Sequence, residues 1–97
     1  MIKPTIGRIV WFHPAPADPI VGNDGTQPFA AIITRVWSGV CVNLAIFDAN
    51  GTPTNRTSVS LLQDAEAGTA DRMYCEWMPY QKGQAAKAEQ PEQKLAG

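Results

Sequence analysis

Three tryptophans, together with arginine and hydroxyl side chains in the predicted strands, are the residues of this sequence best suited to bind a ligand. Tryptophan offers a wide π face on which a nucleobase or an aromatic side chain can stack. Arginine forks onto phosphate oxygens, and hydroxyls donate hydrogen bonds. In a domain this small, two of the three tryptophans are alternatively core or subunit-interface residues. The predicted ligand-binding set is Trp11, His13, Arg35, Trp37, Arg56, Thr57, Ser58 and Trp77.

His13 is the only histidine of the sequence, which limits the chemistry that the chain can catalyse. A serine or cysteine nucleophile would have one candidate base, and a metal shell would have one imidazole. The carboxylates are scattered over turns and loops without a motif spacing, and Asp48-Ala-Asn50-Gly51 is only a fragment of a calcium loop. Gly22-Asn-Asp-Gly25 precedes no helix that could hold a phosphate. We therefore predict a binding protein without catalytic activity, metal or cofactor.

Five short runs rich in β-branched and aromatic residues, each bounded by turn residues, are typical of strands. In the third run the even-numbered residues are all apolar and share one face by period-two alternation. We predict that this face points into the core; it consists of Val40, Val42, Leu44 and Ile46. The five predicted strands are 7–12, 29–36, 40–47, about 55–62 and 73–78.

The connections between these runs indicate how the strands are arranged. Residues 13–28 contain four prolines and two glycines, which neither a helix nor a central strand tolerates, so they predict a long surface loop. Loops of this length inside small domains are often functional. Ser38-Gly39 and 48–51 predict tight hairpin turns, and 63–71 predicts a solvated connection or a short helical turn. This order favours an all-β, five-stranded SH3-like barrel over 1–80, with a small open β-sandwich as the alternative.

The composition predicts where the chain resides and what it does not bind. The net charge is −1, from 8 basic and 9 acidic residues, which disfavours binding to duplex nucleic acid. Cys41 and Cys75 predict two free buried thiols, and no apolar run is long enough for a signal peptide or a membrane span. We therefore predict a cytoplasmic protein, with homo-oligomerisation supplementing a small core. The tail 81–97 has little apolar content and is predicted to be disordered.

Several segments of the chain resemble a group of small bacteriophage and prophage proteins. They are Pro4-Thr-Ile-Gly-Arg-Ile-Val10, Ala31-Ile-Ile-Thr-Arg-Val-Trp37, Val42-Asn-Leu-Ala-Ile-Phe47, Arg56-Thr-Ser-Val59 and Trp77-Met-Pro79. The group closes with a Trp-Pro element, into which this chain inserts a methionine. The resemblance implies a phage accessory protein that counters host defences in the infected bacterium, but it transfers no site residue. Such a protein would act as an oligomeric sponge for a nucleotide immune signal; the alternatives are an inhibitor bound to a host defence protein and a virion or assembly component.

Overall fold

The computed structural model describes residues 1–63 and 71–88, with 84–88 as backbone only. Within these residues five strands form a closed barrel in chain order, and one helix follows the last strand. The strands are β1 (Ile9–His13), β2 (Phe29–Ser38), β3 (Cys41–Phe47), β4 (Pro53–Leu62) and β5 (Tyr74–Glu76), and the helix is α1 (Pro79–Ala88). The predicted five-stranded barrel is therefore confirmed.

Closure of the barrel depends on the shortest strand. Strands β1 to β4 pair antiparallel with their neighbours in sequence, whereas β5 pairs antiparallel with β1 and parallel with β4. Only 74–76 join both ladders, so this strand is shorter than the predicted 73–78. Because β5 links β1 to β4, the sheet closes on itself, which excludes the alternative of an open sandwich.

Period-two alternation fills the barrel interior. In β3, Val42, Leu44 and Ile46 are buried as predicted, while the residues between them face outward. Val40 is the exception, because it lies in the turn before β3 and is 47 % exposed. The remaining core side chains come from all of the other strands, from the loop after β1 and from the segment after β5; they are Val10, Phe12, Ile20, Phe29, Ala31, Ile33, Val59, Leu61, Cys75 and Trp77.

Gln63 is a buried polar side chain that ties three parts of the chain together. It is 3 % exposed, although the sequence predicted a solvated connection from this residue onward. Its Nε2 donates to the carbonyls of Ile2 and Gly39, and its Oε1 accepts from the Ile2 amide and the Trp77 indole. The side chain satisfies its four hydrogen-bonding positions, so its burial carries no desolvation penalty for unpaired groups.

The loop of residues 14–28, the proline loop, lies against the barrel. Asn23 Nδ2 donates to the carbonyls of Ala15 and Asp18 at 3.1 and 3.0 Å. Ile20 is buried in the core, and the Ala49 amide donates to the Val21 carbonyl at 3.0 Å. The loop has no helix or strand, as predicted, and side-chain contacts replace the ladder bonds that its prolines cannot make.

Helix α1 corrects the prediction that disorder begins at Gln81. Pro79 occupies the first helical position, which has no intrahelical partner for its amide. The Gln81 side chain reaches back to accept from the Met78 amide at 2.8 Å, which is one half of a capping box. Its Nε2 also donates to the Ile9 carbonyl, so the helix start is held against β1. Residues 89–97 of the predicted tail lie outside the described residues, and no described helix is long and apolar enough to cross a membrane.

Both cysteines are free thiols in the described structure, as predicted. Cys75 is fully buried on β5, whereas Cys41 is only partly buried. Burial disfavours the thiolate, and together with the nearby Cys41 and Glu76 it raises the pKa of Cys75 to about 12. Cys75 is therefore an apolar packing group at neutral pH.

Candidate binding site

The predicted ligand-binding residues are divided among separate places in the structure. Trp77 was predicted to bind a ligand, but it is 1 % exposed and its indole nitrogen donates to Gln63. The Arg8 guanidinium covers its ring at 5.9 Å from the centroid. A surface ligand cannot stack on a ring in this position, so Trp77 belongs to the core and not to a binding site.

Arg56 is occupied by a carboxylate of the protein itself. Its Nε and Nη2 donate to the two oxygens of Asp18 at 3.0 and 2.6 Å, which is a bidentate ion pair. These bonds lower the pKa of Asp18, assisted by the Ile20 amide, and raise the pKa of Arg56. The pair joins the proline loop to β4, so we assign Arg56 to loop attachment and not to phosphate binding.

The Asp18–Arg56 pair makes the stability of the fold depend on pH. Folding lowers the pKa of Asp18, so the ion pair stabilises the fold fully at a pH above the unfolded pKa of about 4. This stabilisation is lost as the pH falls through the lower pKa of the folded state. We expect Asp18→Asn to cost about 1–2 kcal/mol at pH 7 and progressively less below pH 4. Urea unfolding of both proteins across this range measures the difference. An equal difference at pH 7 and pH 3 would contradict this assignment of Asp18.

Trp11 and His13 lie on the outer face of β1. Trp11 is opposite Ala30 on one side and Glu76 on the other. The His13 ring stacks on Tyr74 with centroids 4.5 Å apart and an interplanar angle of 13°, and its Nε2 lies 2.7 Å from Glu76 Oε2. His13 is thus fixed by two residues of β5.

Arg35, Trp37 and Ser58 are brought together on the outer face of β2, β3 and β4, around Asn43. Trp37 Nε1 donates to Asn43 Oδ1 at 2.9 Å, and the Ser58 amide donates to the same oxygen at 2.8 Å. The Arg35 guanidinium lies over the Trp37 ring at 4.9 Å from its centroid. We refer to Arg35, Trp37, Asn43 and Ser58 as the Trp37 platform.

Irregular strand pairing on both sides of Asn43 creates this platform. On the β2 side the register shifts between Ile33 and Arg35, and on the β4 side two residues, Thr57 and Ser58, lie opposite the single residue Asn43. Ser58 has a φ of 53°, a conformation that non-glycine residues rarely adopt. Bulges and strained backbone are enriched at functional sites, where they redirect side chains.

Trp37 remains 57 % exposed despite its fixed orientation. The ring is held by its own N–H and by the arginine above it, so little side-chain entropy is left to lose when a ligand binds. Thr57, also exposed and in the same bulge, adds a hydroxyl nearby. The platform can therefore offer an aromatic surface, a cation and hydroxyl groups to a binding partner.

Asn43 is the platform residue that the sequence analysis missed. Asparagine is disfavoured in strands, yet it interrupts the otherwise apolar third run. A polar residue at an outward position of a buried strand is a signal for a side-chain hydrogen bond to neighbouring strands. Among the described residues, no group of three His, Cys, Asp or Glu side chains could hold a metal ion.

Comparison with known proteins assigns no family to this chain. No protein-family model, curated protein or solved structure matches it. The resemblance to small phage proteins therefore stays a prediction from the sequence motifs.

Proposed function

We propose that this chain is a non-catalytic binding protein that presents the Trp37 platform to a protein partner. The observation that carries the proposal is an indole that is 57 % exposed and yet oriented by Asn43 and Arg35. Tryptophan and arginine are the residue types most enriched where a few side chains dominate a protein interface. A preoriented pair of them on an outer strand face is suited to that task.

The open shape of the platform favours a protein over a small molecule. Trp37 lies on the outward side of the sheet, and the turn beside it exposes Val40 to 47 %. Small ligands usually bind in concave sites that bury most of their surface, whereas a partner protein can cover a flat face. The phage-like motifs support a host defence protein as that partner and counter-defence as the biological role.

A nucleotide immune signal is the second candidate, favoured by the residue types around the indole. A base would stack on Trp37, Arg35 would pair with a phosphate, and the hydroxyls of Thr57 and Ser58 would donate hydrogen bonds. Because one subunit supplies only an open face, a second copy would have to complete the pocket. This is the oligomeric sponge that the sequence analysis predicts.

We expect Trp37→Ala to weaken partner binding at least about thirtyfold, since loss of a central interface tryptophan typically costs about 2 kcal/mol or more. The measurement is recovery of one stoichiometric protein from lysate of the bacterial host, followed by titration with that purified protein. Tyr80→Ala is the matched control, because Tyr80 is a large aromatic residue that is 73 % exposed on α1. Equal loss of binding in both variants, or in neither, would contradict the assignment of the site.

Calorimetric titration with cyclic nucleotides and ADP-ribose derivatives separates the two candidates. The protein-partner proposal predicts no binding heat with any of these compounds. Saturable heat that disappears in Trp37→Ala, together with a dimer or larger assembly in solution, would replace it with the nucleotide sponge.

A further inference from the structure

A second surface feature, independent of the Trp37 platform, is a groove between the proline loop and the ends of β1 and β5. Its volume is about 450 Å³, and its walls include His13 and Tyr74 on the barrel side and Pro14, Pro16 and Asp24 on the loop side. This volume lies within the range of about 300–1,000 Å³ that is usual for ligand sites.

The barrel wall of the groove is a rigid aromatic surface. The parallel stack of His13 on Tyr74 makes the two rings one continuous unit, and the contact of 2.7 Å between His13 and Glu76 fixes the imidazole. Burial, and the charge of Glu76, raise the pKa of the Tyr74 phenol, so the phenol keeps its proton at neutral pH. The uncharged ring of Tyr74 can therefore accept a cation on its π face.

The loop wall of the groove is fixed before any ligand arrives. Asn23 bridges two carbonyls of the loop, and the ion pair of Asp18 with Arg56 anchors the loop to β4. The groove therefore does not need to order a flexible loop, which would reduce affinity.

The charge of the groove selects a cationic ligand. Of the described residues that line the groove, Asp24 is the only one with a carboxylate, and none is a lysine or an arginine. The Thr26 hydroxyl, which donates to Asp24 Oδ1 at 2.6 Å, and the Thr26 amide lower the pKa of Asp24, so the carboxylate is ionised at neutral pH. The carboxylate keeps acceptor capacity for a further donor, and its charge would repel a phosphate.

We propose that this groove binds an arginine side chain presented by an extended segment of a partner protein. The planar guanidinium stacks on the His13–Tyr74 rings and donates to the Asp24 carboxylate, while the flanking backbone packs on Pro14 and Pro16. Lysine fits less well, because its ammonium group is compact, is strongly hydrated and cannot stack.

Titration of the full chain with the peptide acetyl-Pro-Arg-Pro-amide, followed by NMR, tests the proposal. We expect saturable shifts of the Gly25 amide and of the His13 and Tyr74 ring signals, with a Kd on the order of 1 mM for so small a peptide. The same peptide with citrulline in place of arginine keeps the shape and removes the charge. The citrulline peptide should bind the unchanged protein at least about tenfold more weakly than the arginine peptide does. The arginine peptide should bind the Asp24→Asn variant more weakly to the same extent. In both cases a charge-assisted hydrogen bond is lost, and such bonds are about twice as strong as neutral ones.

Asp24→Asn retains an oxygen that can accept from Thr26, so the loop conformation is preserved in the test variant. The Trp37→Ala variant should bind the arginine peptide with unchanged affinity. Peptide binding at the groove is therefore tested separately from partner binding at the Trp37 platform. Equal affinity for the citrulline peptide, shifts that map outside the groove, or no saturable shift up to about 10 mM peptide would each overturn the proposal.

Discussion

Replacement of Gln63 by alanine is expected to lower the free energy of unfolding by about 3 kcal/mol or more, because the buried indole N–H of Trp77 and several partly buried backbone groups lose their partner together. The indole N–H of Trp77 and the carbonyl of Gly39 both rely on this side chain. Each buried donor or acceptor left unsatisfied costs about 1–3 kcal/mol, and the lost side-chain volume adds a cavity. In a domain with a total stability of about 5–15 kcal/mol, this is a large fraction.

Gln81→Ala is the matched control for this prediction, since Gln81 also makes two side-chain to backbone hydrogen bonds. Its bond to the Ile9 carbonyl lies at an exposed position, where water can replace it. We expect a loss of about 1 kcal/mol or less in urea unfolding. If the two variants lost the same stability, Gln63 would not be the central polar contact of the fold.

The second large effect is expected at Gly22, where Gly22→Ala should cost about 2–4 kcal/mol. Its φ is +95°, which an L side chain adopts only at a cost, and a Cβ there would lie 2.5 Å from the Cβ of Ala49. Ala49 cannot easily withdraw, because its amide is bonded to the carbonyl of Val21. The substitution would push the proline loop away from the β3–β4 turn.

Gly25→Ala separates the two contributions at Gly22. Gly25 lies in the same loop with a φ of +79°, but nothing lies within 4 Å of the position of an added Cβ. Gly25→Ala should therefore lower the free energy of unfolding by about 1–2 kcal/mol, the cost of placing an L side chain at a positive φ. Urea unfolding of both variants measures the excess at Gly22, and no excess would mean that the loop is not packed tightly on Ala49.

Local patterns in the sequence were sufficient to predict the barrel. The alternation in β3, the turn residues at 48–51 and the prolines of 14–28 each act over a few residues, and the structure confirms them. The turn between β2 and β3 lies at 39–40, one residue later than predicted. The burial of Gln63 could not be predicted in this way, because its partner Ile2 is 61 residues away along the chain. Helix α1 was not predicted because 81–97 has little apolar content, although Gln81 supplies a capping signal.

Only part of the candidate site could be predicted, because its assembly also depends on contacts between residues that are far apart in the sequence. Arg35, Trp37 and Ser58 were selected by residue type, but only the shifted strand register places them together around Asn43. Arg56 has the same residue type as Arg35, yet its charge is taken by Asp18 from a loop 38 residues away. Residue type indicates what a side chain can bind, whereas long-range contacts decide whether it is free to do so.

Site-specific photo-crosslinking in cells of the proposed bacterial host tests the role of the Trp37 platform most directly. A benzophenone amino acid in place of Thr57, which is exposed in the bulge beside Ser58, reports on what covers the platform without removing Trp37. We expect one discrete protein adduct from position 57, and loss of that adduct when Trp37→Ala is added. The same benzophenone amino acid in place of Tyr80 on α1 should give no adduct. An adduct from position 57 that persists without Trp37, or one formed only from position 80, would contradict this role.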